Sequence, residues 1–193
     1  MRTIMKLKNL LLHLIAGIML LVSSYQSAAQ NEGKEIIWHV KAYKPEAELF
    51  KVKAFDENGN MYDIKAIQNT DQTSVLDVKA HVNGAWLPVK MLVKNGETYY
   101  PIKAIAADGT ILNIKAVTDD GTILPIKGVK TFGNIIDVCA IFGDTIFYNI
   151  LAFSPEGNTN VLKGLKMTQE EIETKVQGVE VYAHIKAITQ TKY

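Results

Sequence analysis

Residues 101–129 read Pro101-Ile-Lys-Ala-Ile105, Asn113-Ile-Lys-Ala-Val117 and Pro125-Ile-Lys-Gly-Val129, joined through Ala107-Asp-Gly-Thr110 and Asp119-Asp-Gly-Thr122. Lys103, Lys115 and Lys127 are twelve residues apart. The unit extends in both directions, with its reference position at 41, 53, 65, 79, 90, 103, 115, 127, 139, 151, 163 and 186. Cys139 and Leu151 stand where the other units have Lys. The preceding residue is always aliphatic, and the following one is small everywhere except at Met91. A fixed period of this kind decides the architecture before any other feature.

Inside each unit the apolar residues alternate with period two, so each unit is a strand and a turn. In a hairpin, paired positions share a constant sum. A twelve-residue spacing keeps one face inward only with an odd loop. Placing each Lys opposite the residue two before the next Lys predicts loops at 57–59, 107–109, 119–121, 131–133 and 155–157, each ending in Gly. A three-residue loop wants Gly at that left-handed position. The shorter and longer spacings predict two-residue turns at 83–84 and 95–96, both Asn-Gly. Loops at 45–47, around Asp71 and at 143–145 lack the expected Gly.

The predicted fold is therefore all-β: an antiparallel up-and-down meander of about twelve short strands, coiled into a flattened barrel or folded sheet. A β-solenoid is the alternative. It would stack the lysines from 53 to 127 directly over one another, and like charges so placed are destabilising. A propeller would have only three four-stranded blades. A capping box at Thr168 and Glu171, with the pair Glu171 and Lys175, predicts a short helix over 169–176 before the last strand.

Arg2, Lys6 and Lys8, the apolar run from Leu10 to Val22 and the small residues Ser27-Ala28-Ala29 read as a secretory signal peptide over 1–29. Residues 30–35 read as a flexible start and 36–193 as one β-repeat domain. The expected address is periplasmic or extracellular. The apolar run is short for a retained membrane anchor. From Gln30 onward the chain has 18 lysines, no arginine and 20 acids, a net charge of −2. Without guanidinium groups, bidentate phosphate and base-edge contacts have no donor, which argues against nucleic acid. Cys139 is the single cysteine, so no intrachain disulfide can form.

One strand face carries the positions three before, one before and one after the Lys, for instance Leu112, Ile114 and Ala116. This is the expected core. The other face carries the Lys and the residue two before it. The pairing rule sets Asp63 opposite Lys53 and Lys79, Asp77 opposite Lys65 and Lys90, and Asp137 opposite Lys127. Lys103 and Lys115 then have no carboxylate neighbour. Pro88, Pro101 and Pro125 fall mid-strand, where each removes a ladder donor.

Lys103, Lys115 and Lys127 with Asn113 form the candidate ligand-binding cluster, with Trp86 and Tyr99 as aromatic neighbours. Its expected partner is an anionic glycan, a lipid headgroup or another exported protein. The plainer reading is a solvated lysine face whose stems cover the sheet. Trp86 falls opposite His81 and Tyr99 opposite Leu92, as ordinary cross-strand pairs would. His39, His81 and His184 lack metal-ligand spacing, although closure could bring His39 and His184 together. Cys139 has no predicted His beside it and reads as an inert thiol. No phosphate loop, hydrolase elbow or carboxylate pair is present, so no cofactor, metal or enzymatic activity is expected.

The Val-Lys-Ala and Ile-Lys-Ala units over residues 38–188 resemble the repeats of secreted bacterial proteins of unknown function. The leading expectation is an exported, non-enzymatic binding or structural module whose lysine-bearing face is a contact surface. A carrier of a small apolar ligand and a small outer-membrane barrel are the alternatives. The barrel's apolar belt would be short of the roughly 9–11 residues of a spanning strand.

Overall fold

The computed structural model describes residues 35–46, 48–166 and 174–189. They form one sheet of thirteen strands: β1 (Ile36–Lys44), β2 (Glu48–Phe55), β3 (Met61–Gln68), β4 (Val75–Val82), β5 (Ala85–Leu92), β6 (Tyr100–Ile105), β7 (Ile111–Val117), β8 (Ile123–Phe132), β9 (Ile135–Phe142), β10 (Ile146–Phe153), β11 (Thr159–Leu165), β12 (Lys175–Val176) and β13 (Val179–Thr189). Every pairing is antiparallel, so successive repeats fold back rather than stack as in a solenoid.

The connections follow turn chemistry. Phe55 pairs with Met61 and Ile105 with Ile111, and Gly59 and Gly109 close these loops at φ 84° and 85°. Asn83 and Gly84, at φ 49° and 83°, make the predicted two-residue turn between His81↔Trp86 and Val82↔Ala85. The predicted turn at 95–96 is instead a seven-residue connection, 93–99, because Leu92 pairs with Val181 of β13 and leaves β6. The loop at 131–133 is also corrected. A register shift between Gly128 and Thr131 lengthens β8 to Phe132, which pairs directly with Ile135.

Closure is achieved by strands that divide their edges. β1 gives Ile36–His39 to β3 and Lys41–Lys44 to β2, while its other edge pairs with β10. The same division groups the long strands into four mutually paired triads. Junction A contains β1, β2 and β3; junction B contains β6, β7 and β8; junction C contains β9, β10 and β11; junction D contains β4, β5 and β13. Each triad is joined to each of the other three by a single strand pair: β3–β4, β5–β6, β8–β9, β11–β13, β1–β10 and β2–β7. This is the edge pattern of a truncated tetrahedron. It turns a local hairpin repeat into a closed shell without long free edges.

Two registers alternate around the shell. Within a triad, a repeat Lys position faces the residue two before the next one, as in Lys53↔Asp63, Lys115↔Pro125 and Lys186↔Asp77. Between triads, repeat positions face each other: Lys53↔Lys115, Lys65↔Lys79, Lys90↔Lys103, Lys163↔Lys186, Lys127↔Cys139 and Lys41↔Leu151. The expected pairs Asp63–Lys79, Asp77–Lys65, Lys90–Pro101 and Lys127–Asp137 are thereby corrected by two residues. The β4–β5 hairpin keeps its expected register and ends at Lys79↔Pro88, beyond which Asp77 and Lys90 turn to Lys186 and His184 of β13. The like-charged neighbours separate because several of them lean toward different junctions. Lys53 donates to Asp63 and Lys65 lies 3.3 Å from it, Lys163 donates to Asp137 at 2.7 Å, and Lys186 donates to Asp77.

The prolines have one explanation in this geometry. Pro88, Pro101 and Pro125 are each the last residue before their strand changes partner: β5 from β4 to β13, β6 from β8 to β7, and β8 from β7 to β6. A proline there loses its donor at a break in the ladder rather than in its middle.

The inward face is the expected one. Leu112, Ile114 and Ala116 are buried, as are Leu124 and Ile126, and the positions after the Lys meet at the centre. Trp38 fills the same row and donates its indole N–H to Gln68 Oε1 at 2.9 Å. Among the described residues there is no helix. Most of the predicted helix, 169–173, lies outside them, as do the signal peptide and residues 30–34. Its last part is corrected: Lys175–Val176 forms β12, and Gln177-Gly178, at φ 50° and 80°, turns it into β13.

Candidate functional site

Three of the four triads bring repeat lysines together in threes on the outer face: Lys41, Lys53 and Lys65 in A, Lys103, Lys115 and Lys127 in B, and Lys79, Lys90 and Lys186 in D. At junction B the registers Lys103↔Asn113, Lys115↔Pro125 and Pro101↔Lys127 surround a concave site of about 170 Å³. Ile102, Ile114 and Ile126 form its floor. Lys103 donates to Asn113 Oδ1, and Lys127 pairs with Glu97 at 2.8 Å. Neither Lys103 nor Lys115 has an ion pair among the described residues. Burial lowers the Lys103 pKa most. Lys127 adds to that, Glu97 opposes it and Lys115 contributes further. The junction therefore holds three ammonium groups and one peripheral carboxylate, an arrangement that attracts an anion.

Of the residues singled out from sequence, Lys103, Asn113, Lys115 and Lys127 converge here. Trp86 and Tyr99 do not line the site. Trp86 lies against His81 with ring centres 4.6 Å apart, and Tyr99 meets Phe147 edge-on at 6.0 Å. The Tyr99–Leu92 pair expected from sequence is replaced by the Leu92–Val181 register. The histidines are separated. His39 lies in junction A beside Lys65, at 3.2 Å, and His184 lies in junction D beside Lys90. Among the described residues no group of three His, Cys, Asp or Glu side chains could hold a metal.

The other junctions differ in charge. Junction C holds Cys139, Leu151 and Lys163 at its repeat positions, with Lys163 paired to Asp137. Cys139 is buried, its thiol 3.9 Å from Asn149 Oδ1, and burial followed by the Asp137 charge pushes its pKa up to about 11. That suppresses the thiolate and with it nucleophilic reactivity. Junction A carries an additional lysine that the sequence reading passed over. Lys51 occupies the position two before Lys53 and faces Lys41. The pairing rule already implied this contact, but the loop at 45–47 lacks Gly and obscured it.

Residues 34–188 match a family model described as a family of unknown function (DUF7486), and the chain belongs to that family. Comparison with curated proteins and with solved structures gives no match.

Proposed function

We propose that this DUF7486 protein is an exported, non-enzymatic binding module that uses its lysine-bearing outer face to hold an anionic partner. The observation that carries the reading is the convergence of Lys103, Lys115, Lys127 and Asn113 around one concave site with a single carboxylate at its edge. Ammonium groups gathered by the backbone need little further ordering when an anion arrives, which favours binding.

Two features weigh against the alternatives. Lysines occupy the middle of the outward face, whereas a membrane-spanning barrel presents an apolar band there. Met91 runs into the space left by Gly128 and Gly164, which supports a filled interior rather than a carrier's cavity.

The test is Lys103→Gln with Lys115→Gln, assayed against acidic glycans and anionic lipid vesicles over a salt series. The reading expects weaker binding with a flatter salt dependence. Unfolding free energy should stay within about 1 kcal/mol of wild type, as for partly exposed charges. Equal binding by variant and wild type, or none by either, would leave the lysines as a solvated face only.

A further inference from the structure

We infer that junctions A and B form one continuous track for a linear acidic polysaccharide bearing repeated carboxylate or sulfate groups. This rests on the reading above and names its ligand class. Junction A is the more strongly charged of the two. His39, Lys41, Lys51, Lys53, Asp63 and Lys65 surround a concave site of about 200 Å³. Lys53 and Lys65 share Asp63, but Lys41 and Lys51 face each other across β1 and β2 with no ion pair for either among the described residues. Burial, then Lys65, Lys51 and Lys53, lower the Lys41 pKa, and Asp63 opposes them.

The two sites are neighbours because β2 pairs with β7. Lys53 lies directly opposite Lys115, about 5 Å away between Cα atoms. Lys53 lines the junction A cavity and Lys115 the junction B cavity, so this backbone pair joins the two sites side by side. Together the junctions hold seven lysines against Asp63 and Glu97. This is a local excess of five positive charges in a chain of formal net charge +1.

Two adjoining cationic hollows suit a polymer with anions on successive units better than a single small ion. Ammonium groups make point contacts to carboxylate or sulfate, and no arginine is present among the described residues for bidentate phosphate recognition. The same face offers apolar neighbours for the C–H surfaces of sugar rings. Met61 and Ile111 are exposed there, while Phe55 is buried beneath Lys115, its ring centre 5.8 Å from the Nζ.

The experiment titrates the purified protein with oligogalacturonides and heparin-derived oligosaccharides of increasing length. Affinity should rise with length until both junctions are spanned and then level off. Lys41→Gln with Lys51→Gln should weaken long-chain binding about tenfold and flatten the salt slope by about 1.5. Asp63→Asn should tighten long-chain binding, and the exposed control Lys130→Gln with Lys175→Gln should not change it. If K41Q/K51Q binds long chains like wild type while K103Q/K115Q binds weakly, the track is wrong and the single site at junction B stands. If no anion binds at all, both fall. Polyphosphate or single-stranded DNA binding as tightly as the glycans would overturn the polysaccharide assignment.

Discussion

A Cβ placed on Gly164 would stand 2.6 Å from Met91 Cε, and one on Gly128 would stand closer still. These are the three exceptions to alanine among the repeat positions that meet at the centre of the shell, and they compensate one another in space. One long side chain from β5 occupies the room that β8 and β11 leave.

Gly128→Ala should therefore destabilise the protein by about 1–3 kcal/mol through overpacking. Met91→Ala should cost about 2–5 kcal/mol by opening a cavity. Denaturant unfolding of the double variant should show a favourable coupling of roughly 0.5–3 kcal/mol, because each change relieves the other. Strictly additive losses would mean that the centre is not filled in this way.

Junction A should show its electrostatic frustration in the pH dependence of stability. Lys41 titrates below its ordinary value of 10.5, so its charged form is disfavoured in the folded state. That cost is present in full below the folded pKa and disappears as pH rises from there to 10.5. Lys41→Gln should raise stability at pH 7 by a few tenths to about 1 kcal/mol, with the gain fading toward pH 10.5 and in high salt. Asp63 has the opposite sense. The hydrogen bond from Lys53 holds its carboxyl below the usual range against the opposing effect of burial, and the charge of Lys65 adds to it. Its contribution is present above the unfolded value near 3.9 and is lost as pH falls through the folded one. Thermal melts of wild type, K41Q and Asp63→Asn across pH 2.5–10.5 separate the two.

Cys139 should resist alkylation at neutral pH on the native protein and react only on unfolding, because its thiol is buried and titrates at about 11. Labelling at the rate of a free exposed thiol would place it outside the core.

The twelve long strands, their inward faces and the registers of the hairpins inside the triads were legible in the sequence, because loops such as 57–59 and 119–121 carry Gly where a hairpin of that length needs it. The cluster of Lys103, Asn113, Lys115 and Lys127 followed from those local registers. The junctions did not. Pairs such as β1–β10 and β2–β7 join residues far apart in sequence, and nothing in a single repeat specifies them. The loop rule set Asp77 opposite Lys65, whereas the structure pairs Lys65 with Lys79. The two lysines tolerate that register because Lys65 turns to Asp63 and His39 in its own junction instead of toward its partner. The apolar and capping pattern near 169–176 also pointed to a helix, but at Lys175–Val176 pairing with Val179 and Glu180 prevailed over local propensity.

The most direct test of the lysine junctions as the contact surface is a residue-resolved NMR titration of lysine ammonium and backbone signals with a long acidic oligosaccharide. Shifts should concentrate at Lys41, Lys51, Lys53, Lys103 and Lys115, with Lys163 and Lys186, already held by Asp137 and Asp77, left unmoved. Shifts spread evenly over all lysines, or centred on junctions C and D, would contradict it.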